Sequence, residues 1–339
     1  MDLSTRYLGF KLPHPLMLGA SPLVDDLDTV RRIEDAGASA VVMHSLFEEQ
    51  IEGEQPAHRA LDRRDGSSAE AQHFRTDRRD FRLGPDAYLE QVRRLRDAVG
   101  VPVIASLNGV TDGGWLEYAR LIDQAGADAL ELNVYRLATQ PDLCSERIET
   151  ETVNILRRVK ELCKIPVTVK LSPYYTALAH FVARLLDAGA DGVVLFNRFY
   201  QPDLDLETLA LRSELELSSP SELLLRLRWL AVLSAQTERT LGVSGGVHSA
   251  LDVLKTIMVG ADGVQLVSQV LKHGPRAFSD IHAAMVRWLE AHEYDSLAQI
   301  QGSMNLSRCP DPAAYERANY LHVLSAGSRA QEWRFARKV

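Results

Sequence analysis

Several polar residues stand where apolar runs of the chain end, and their types can do chemistry. Lys170 closes the run Ile165-Pro-Val-Thr-Val-Lys-Leu-Ser-Pro173. Lysine is almost never fully buried without a partner. An ammonium here either faces a ligand, where it can hold developing negative charge, or snorkels to solvent along its methylene stem. Asn133 ends Ala129-Leu-Glu-Leu-Asn-Val134. Asparagine is depleted in strands, and its amide both donates and accepts at a ligand edge. The plainer alternative is an asparagine that caps the next turn. Glu131 precedes it by two and shares its direction. Asn197 and Asn108 carry weaker versions of the same reading. His44 is an acid/base candidate, but no second histidine or carboxylate stands at ligand spacing, so no metal is expected. Cys144 and Ser145 offer a nucleophile or base, against the plain reading of an incidental loop cysteine.

A second kind of chemistry is written in small residues. Leu241-Gly-Val-Ser-Gly-Gly-Val-His248 and Val259-Gly-Ala-Asp-Gly-Val-Gln-Leu-Val-Ser268 read as two strands with a helix between them. The first strand ends in Ser244, Gly245 and Gly246, the second at Ser268, and a new helix is expected near Gly274-Pro275. Two adjacent strand ends without bulky side chains let backbone N–H groups approach an anion such as a phosphate. The alternative is that the glycines only close tight turns.

These residues need a frame. One phrase recurs: Asp35-Ala-Gly-Ala38, Gln124-Ala-Gly-Ala-Asp128, Asp187-Ala-Gly-Ala-Asp191 and Val259-Gly-Ala-Asp262. Each follows a helical pattern and precedes an apolar run, so the glycine fits the left-handed position that ends a helix. Strands are expected at 15–20, 40–45, 101–107, 129–134, 166–171, 192–197, 241–245 and 263–268. They lack strict alternation, as parallel strands buried on both faces do. Amphipathic segments at 88–99, 115–125, 152–163 and 178–188 lie between them. Eight βα units predict a single α/β domain, a (β/α)8 TIM barrel over 1–339. A doubly wound open sheet is the runner-up, but no Gly-x-Gly-x-x-Gly follows the first strand. Long segments at 46–86, 135–150 and 198–220 follow strands and belong on the active-site face, and a tail, 292–339, is expected to pack on the barrel.

With 339 residues, 46% hydrophobic and 25% charged, the composition is that of an ordinary globular protein. A formal charge of −8 argues against nucleic-acid partners. No apolar run approaches a membrane span, and the first residues lack a signal peptide's apolar core. Three cysteines, an odd count, fit the cytoplasm better than a disulfide framework.

In this order, Leu8-Gly-Phe-Lys-Leu-Pro-His-Pro-Leu-Met17, Val101-Pro-Val-Ile-Ala-Ser-Leu-Asn-Gly109, Glu131-Leu-Asn133, Pro166-Val-Thr-Val-Lys-Leu-Ser-Pro-Tyr174, Gly245-Gly246, Val264-Gln-Leu-Val-Ser268 and the segment 288–302 resemble the dihydroorotate dehydrogenase family. They are also similar to the flavin domain of dihydropyrimidine dehydrogenases. The resemblance implies an FMN-binding barrel. It implies that Gly245, Gly246 and Ser268 hold the FMN phosphate, and that Lys170 lies at the flavin pyrimidine edge, where its charge stabilises the reduced form. Ala20 and Ser21 would pack at the flavin, and Ser45, Asn133 and Asn197 would bond to it or to substrate.

The chain also departs from the family. The usual Lys-Ser at the end of strand two is His44-Ser45. The asparagine-rich substrate loop is Thr76-Asp-Arg-Arg-Asp-Phe-Arg82. Arg136 stands at the place of the general base, usually a cysteine, and an arginine is a poor base. Val194 replaces the first of two asparagines on strand six, and Leu217-Ser-Ser-Pro-Ser221 replaces a glycine-rich turn. The expectation is a cytoplasmic FMN-dependent oxidoreductase that transfers hydride between a small anionic substrate and flavin N5. The alternatives are a genuine dihydroorotate dehydrogenase of pyrimidine biosynthesis and a non-catalytic FMN-binding or electron-transfer subunit. A soluble electron-carrier protein and a homodimer are open partners. Arg75, Arg78, Arg79, Arg82 and Arg136 either face the mouth and select an anion, or pair with Asp62, Asp65, Asp77 and Asp80 in solvent. Arg136, Cys144, Lys170 and Asn133 are the catalytic candidates.

Overall fold

The computed structural model describes residues 1–53, 84–198, 203–207, 210–212 and 216–312. The chain opens with an antiparallel hairpin, β1 (Thr5–Tyr7) and β2 (Phe10–Leu12). Strands β3 (Leu16–Leu18), β4 (Val41–Phe47), β5 (Val103–Asn108), β6 (Ala129–Asn133), β7 (Val167–Leu171) and β8 (Gly192–Leu195) follow. A second hairpin, β9 (Asp203–Asp205) with β10 (Ala210–Arg212), interrupts the series before β11 (Thr240–Ser244) and β12 (Gly263–Leu266). The eight long-range strands close in the order β11-β12-β3-β4-β5-β6-β7-β8, with parallel pairing throughout. The expected (β/α)8 barrel is present.

Helices coat the barrel: α1 (Leu27–Asp35), α2 (Glu48–Gly53), α3 (Pro85–Ala98), α4 (Glu117–Gln124), α5 (Ser145–Leu162), α6 (Leu178–Asp187), α7 (Leu223–Leu233) and α8 (Ala250–Met258). Outward strand residues such as Leu18, Val103, Leu132 and Val169 meet the helices in one large apolar cluster. A smaller cluster, with Tyr7, Leu12, Met17, Val42, Ile104 and Ala129, fills the barrel floor. Tyr7 belongs to the opening hairpin and plugs the barrel from below. A Cβ on Gly263 would lie 2.5 Å from its ring, so glycine is required there.

The recurring Gly-Ala-Asp phrase does two jobs. Gly126, Gly189 and Gly260 have φ of 91°, 106° and 106°, which turns the chain out of α4, α6 and α8. The next alanine N–H reaches back, as in Ala190 to the Leu185 carbonyl at 3.1 Å, a Schellman-type closure. The aspartate then holds the preceding strand. Asp128, Asp191 and Asp262 accept from N–H groups at the starts of β5, β7 and β11, those of Val103 (2.7 Å), Val167 (2.8 Å) and Leu241 (2.8 Å).

Two of these latches also have a cation, Arg96 on Asp128 and Lys160 on Asp191. Asp262 has the neutral Gln301, at 2.7 Å. Burial therefore pushes its carboxyl up from 3.8 to about 6, against the bonds from Leu241 and Gln301. The native chain keeps a proton on Asp262 between pH 3.8 and about 6 that the unfolded chain gives up. Stability must fall as pH rises through that window. Asp262→Asn, whose amide can bond both Leu241 N–H and a turned Gln301, is expected to melt higher than wild type at pH 7.5. It should match wild type near pH 4, and melting curves across that range check the convergence.

The structure differs from expectation at three places. β12 ends at Leu266, and Ser268 is the first residue of a short helix, α9 (Ser268–His273). Gly274, with φ 73°, separates it from α10 (Arg276–Ala291), so the expected helix near 274 is the second of two. Apolar residues run through Val267, Val270 and Leu271, which hides the change of period. α5 starts seven residues before the expected 152, and Cys144 is its N-cap position. In β4 the register slips between Val42 and Ser45, a bulge. Ser45 pairs with Ser106 as a result, and His44 is carried aside.

The tail residues 292–312 return to the opening segment and α8, through Leu297 N–H to the Asp2 carbonyl (2.8 Å) and Met304 N–H to Met258 (2.8 Å). Residues 313–339 and the arginines 75, 78, 79 and 82 lie outside the described residues. Among the described residues no helix is long and apolar enough to cross a membrane, and no cluster of His, Cys, Asp or Glu is placed to hold a metal ion.

Candidate active site

Three buried side chains close a ring in the barrel mouth. Lys170 on β7 donates to Glu131 Oε1 on β6 (3.2 Å) and to Gln265 Oε1 on β12 (3.1 Å). Gln265 Nε2 donates to Glu131 Oε2 at 2.6 Å. All three face inward because strands carry alternate residues to one face, and Lys170 stands two residues beyond the register partner of Glu131. Lys170 has three donors. Two are held by the ring, and the third is left for the cavity that Lys170 lines. The ion pair also makes this floor close to neutral.

Beside the ring, Asn197 Nδ2 donates to Asn133 Oδ1 at 3.1 Å, so both expected asparagines meet. Ser45 and Ser106 hydroxyls are 2.8 Å apart. His44 Nδ1 lies 2.9 Å from Asp25, the last residue of a short 3-10 helix (Pro22–Asp25) after β3, and its ring packs edge-on against Tyr88 of α3. Burial lowers the His44 pKa, although Asp25 pulls it up.

A cavity of about 160 Å3 opens beyond Lys170 toward the ends of β11 and β12. Ala20, Ser21, Asn197, Ser244, Gly245 and Ser268 are among its walls. Gly245 and Gly246 have φ of 85° and 81°, so the turn after β11 needs glycine. Gly246 stands behind the wall. A Cβ there would lie 2.5 Å from the Leu223 nitrogen of α7. Behind Gly245 sits Arg226, 5% exposed. Its guanidinium donates to the carbonyls of Ser244, Glu222 (2.7 Å) and Phe196 (3.5 Å). Burial lowers its pKa to about 10, so it stays charged at neutral pH. A cation thus backs the glycine turn.

Sequence reasoning missed Arg226 and Gln265. Leu223, Arg226, Leu230 and Leu233 are all buried on α7. A charged residue on that apolar stripe was the available signal.

Two catalytic candidates stand elsewhere. Arg136 bonds the Glu151 carboxylate of α5 and the Val110 carbonyl (2.6 Å), tying the loop after β5 to α5. Cys144 is exposed.

Fold and mouth together define a (β/α)8-barrel protein whose polar cavity lies at strand C-terminal ends, where barrel enzymes carry their sites. The dihydroorotate dehydrogenase family model matches residues 3–289, and the chain belongs to that family of oxidoreductases. Among curated proteins it is similar to the NAD-dependent dihydropyrimidine dehydrogenase subunit PreA of Escherichia coli. The two are 23% identical, over 98% of this chain and 88% of that protein. It is 24% identical to the catalytic subunit of dihydroorotate dehydrogenase B (NAD(+)) of Thermoplasma acidophilum, over 89% of this chain and 98% of that one. With the corresponding subunit of Geobacillus kaustophilus the identity is 29%, over 53% of this chain and 59% of that one.

Proposed function

We propose that this chain is an FMN-dependent oxidoreductase acting on a small anionic substrate that is not dihydroorotate. The observation that carries the cofactor is the cavity between Lys170 and the β11–β12 ends. One end offers the charge of Arg226 and the Gly245 turn. Among the described residues the N–H of Val247 makes no backbone hydrogen bond outside the helices and strands. The buried Ser21 hydroxyl in the wall has no partner either. The other end offers the spare Lys170 donor, and Ala20, Pro22, Phe196, Val267 and Leu271 give apolar walls. Donors to an anion at one end, a donor at the other and apolar sides between fit FMN. Gly245 and Ser268 would hold its phosphate with the charge of Arg226 behind them, and Lys170 and Asn197 would orient the ring. FMN, when bound, supplies two-electron hydride chemistry.

The substrate half supports a different molecule from dihydroorotate. Arg136 occupies the place of the family's base and is already committed to Glu151. Cys144 and Ser145 belong to the start of α5, where Cys144 is exposed. The names of two relatives speak of a subunit and a catalytic subunit. Onward electron transfer to a partner protein fits that company.

The purified protein is expected to be yellow and to release FMN on denaturation, by absorbance and chromatography. Dihydroorotate should bleach that flavin slowly, with a loss of about 10²–10⁴ in rate for want of a base. A colourless protein that takes up no FMN defeats the cofactor assignment. Rapid bleaching at micromolar dihydroorotate defeats the substrate assignment and leaves the cofactor standing.

A further inference from the structure

At the rim of the same cavity four side chains outside the Lys170 ring form a chain of hydrogen bonds. Gln269 Nε2 lies 2.6 Å from His248 Nδ1. His248 Nε2 lies 3.2 Å from Ser218 Oγ, which is 2.8 Å from Ser268 Oγ. The backbone N–H of Ser218 also donates to Ser268 Oγ, at 3.1 Å. Ser218 and Ser268 are 4% and 9% exposed, so each proton must find its acceptor within the protein or the cavity.

The directions follow from donor chemistry. An amide nitrogen only donates, so His248 Nδ1 accepts and the ring proton sits on Nε2. That N–H donates to Ser218 Oγ. Ser218 Oγ keeps one lone pair, so either hydroxyl of the Ser218–Ser268 pair can donate to the other. If Ser218 donates, Ser268 Oγ holds two bonds, from the N–H and the O–H of Ser218; if Ser268 donates, Ser218 Oγ holds two, from His248 and Ser268. In both arrangements one hydroxyl proton is left over, and its direction is into the cavity that Ser218 and Ser268 line.

We infer that Gln269 and His248 polarise the Ser218–Ser268 hydroxyl pair, so that the pair is an obligate donor to the ligand. The rim therefore selects a group that only accepts, a fully ionised phosphate ester, over a group that carries its own proton. This rests on reading the cavity as the seat of the cofactor phosphate. His248 is a positioning residue, because it acts through Ser218. A histidine kept for packing alone would be indifferent to which nitrogen carries the proton.

Two measurements on the full-length chain test the relay. Nitrogen-15 NMR of the histidine rings reports the tautomer, and a neutral His248 protonated on Nε2 is expected. A proton on Nδ1 instead overturns the relay. Flavin-stripped protein is then titrated with FMN, riboflavin and inorganic phosphate. His248→Leu and Ser268→Ala should each lose about ten- to a hundred-fold in affinity for FMN and phosphate, as expected for one hydrogen bond to a charged group. Riboflavin affinity should not change. His248→Gln, which returns a donor nitrogen near the place of Nε2, should stay within about three-fold of wild type. Unchanged FMN and phosphate affinity in His248→Leu and Ser268→Ala overturns the relay, as does a parallel loss of riboflavin. Ser268→Ala removes one atom, so it serves if His248→Leu fails to fold. A wild type that binds phosphate but not FMN overturns the cofactor assignment alone, and the phosphate titrations then decide the relay. A wild type that binds neither overturns both.

Discussion

Lys170→Ala is expected to destabilise the fold by about 3–5 kcal/mol, because it strands a buried carboxylate. Glu131 is 1% exposed, and its charge is answered by the Lys170 ammonium at 3.2 Å. With the lysine gone, Gln265 offers one N–H and no charge. Lys170→Met with Glu131→Gln removes both charges and keeps most of the volume. That pair should recover much of the loss, since replacing a whole buried ion pair is often near neutral. Urea denaturation of the two single variants and the double variant measures the coupling. Independence of the two substitutions would mean that the ring is not the unit described. On the FMN assignment proposed above, Lys170→Ala should also lower the flavin reduction potential. About 30 mV corresponds to 1.4 kcal/mol for two electrons. The double variant should lie between it and wild type, because Glu131 no longer contributes its negative charge.

The second large effect is expected at Arg226. Arg226→Leu fills the stripe of α7 but leaves the Ser244, Glu222 and Phe196 carbonyls without their donor. Each buried orphan is worth about 1–3 kcal/mol, so a loss of about 3 kcal/mol or more is expected, and, on the FMN assignment proposed above, a loss of retained flavin. Arg226→Lys restores the charge but not the three-way fork. It should keep part of the FMN and recover little stability. Flavin absorbance per protein, read beside the melting temperature, separates the two roles. Wild-type flavin content in Arg226→Leu would remove the cation from the anion site.

The frame was legible because parallel strands buried on both sides appear as unbroken apolar runs, and because Gly-Ala-Asp marks three of the returns to the barrel. The inward direction of Lys170, Glu131 and Asn133 followed from alternation along a strand. Their partners did not. Lys170 and Gln265 are 95 residues apart, and no local pattern announces a ring that only barrel closure assembles. The bulge in β4 is invisible for the same reason: Val42 and Ser45 face neighbours set by β5, not by their own run. Ser268 was placed at a strand end because apolar residues continue across the strand–helix change. Arg136 was read from its position in a motif, whereas its direction is set by Glu151 on α5.

The aspartate latches have a consequence for how the chain is made. Each holds the start of the strand before it: Asp128 that of β5, Asp191 that of β7 and Asp262 that of β11. During synthesis a strand therefore stays unfastened at its lower end until the helix that follows it and the aspartate after that helix have left the ribosome. Truncated chains that stop just short of one of these aspartates should expose their last strand to proteases, and those that stop just past it should protect it.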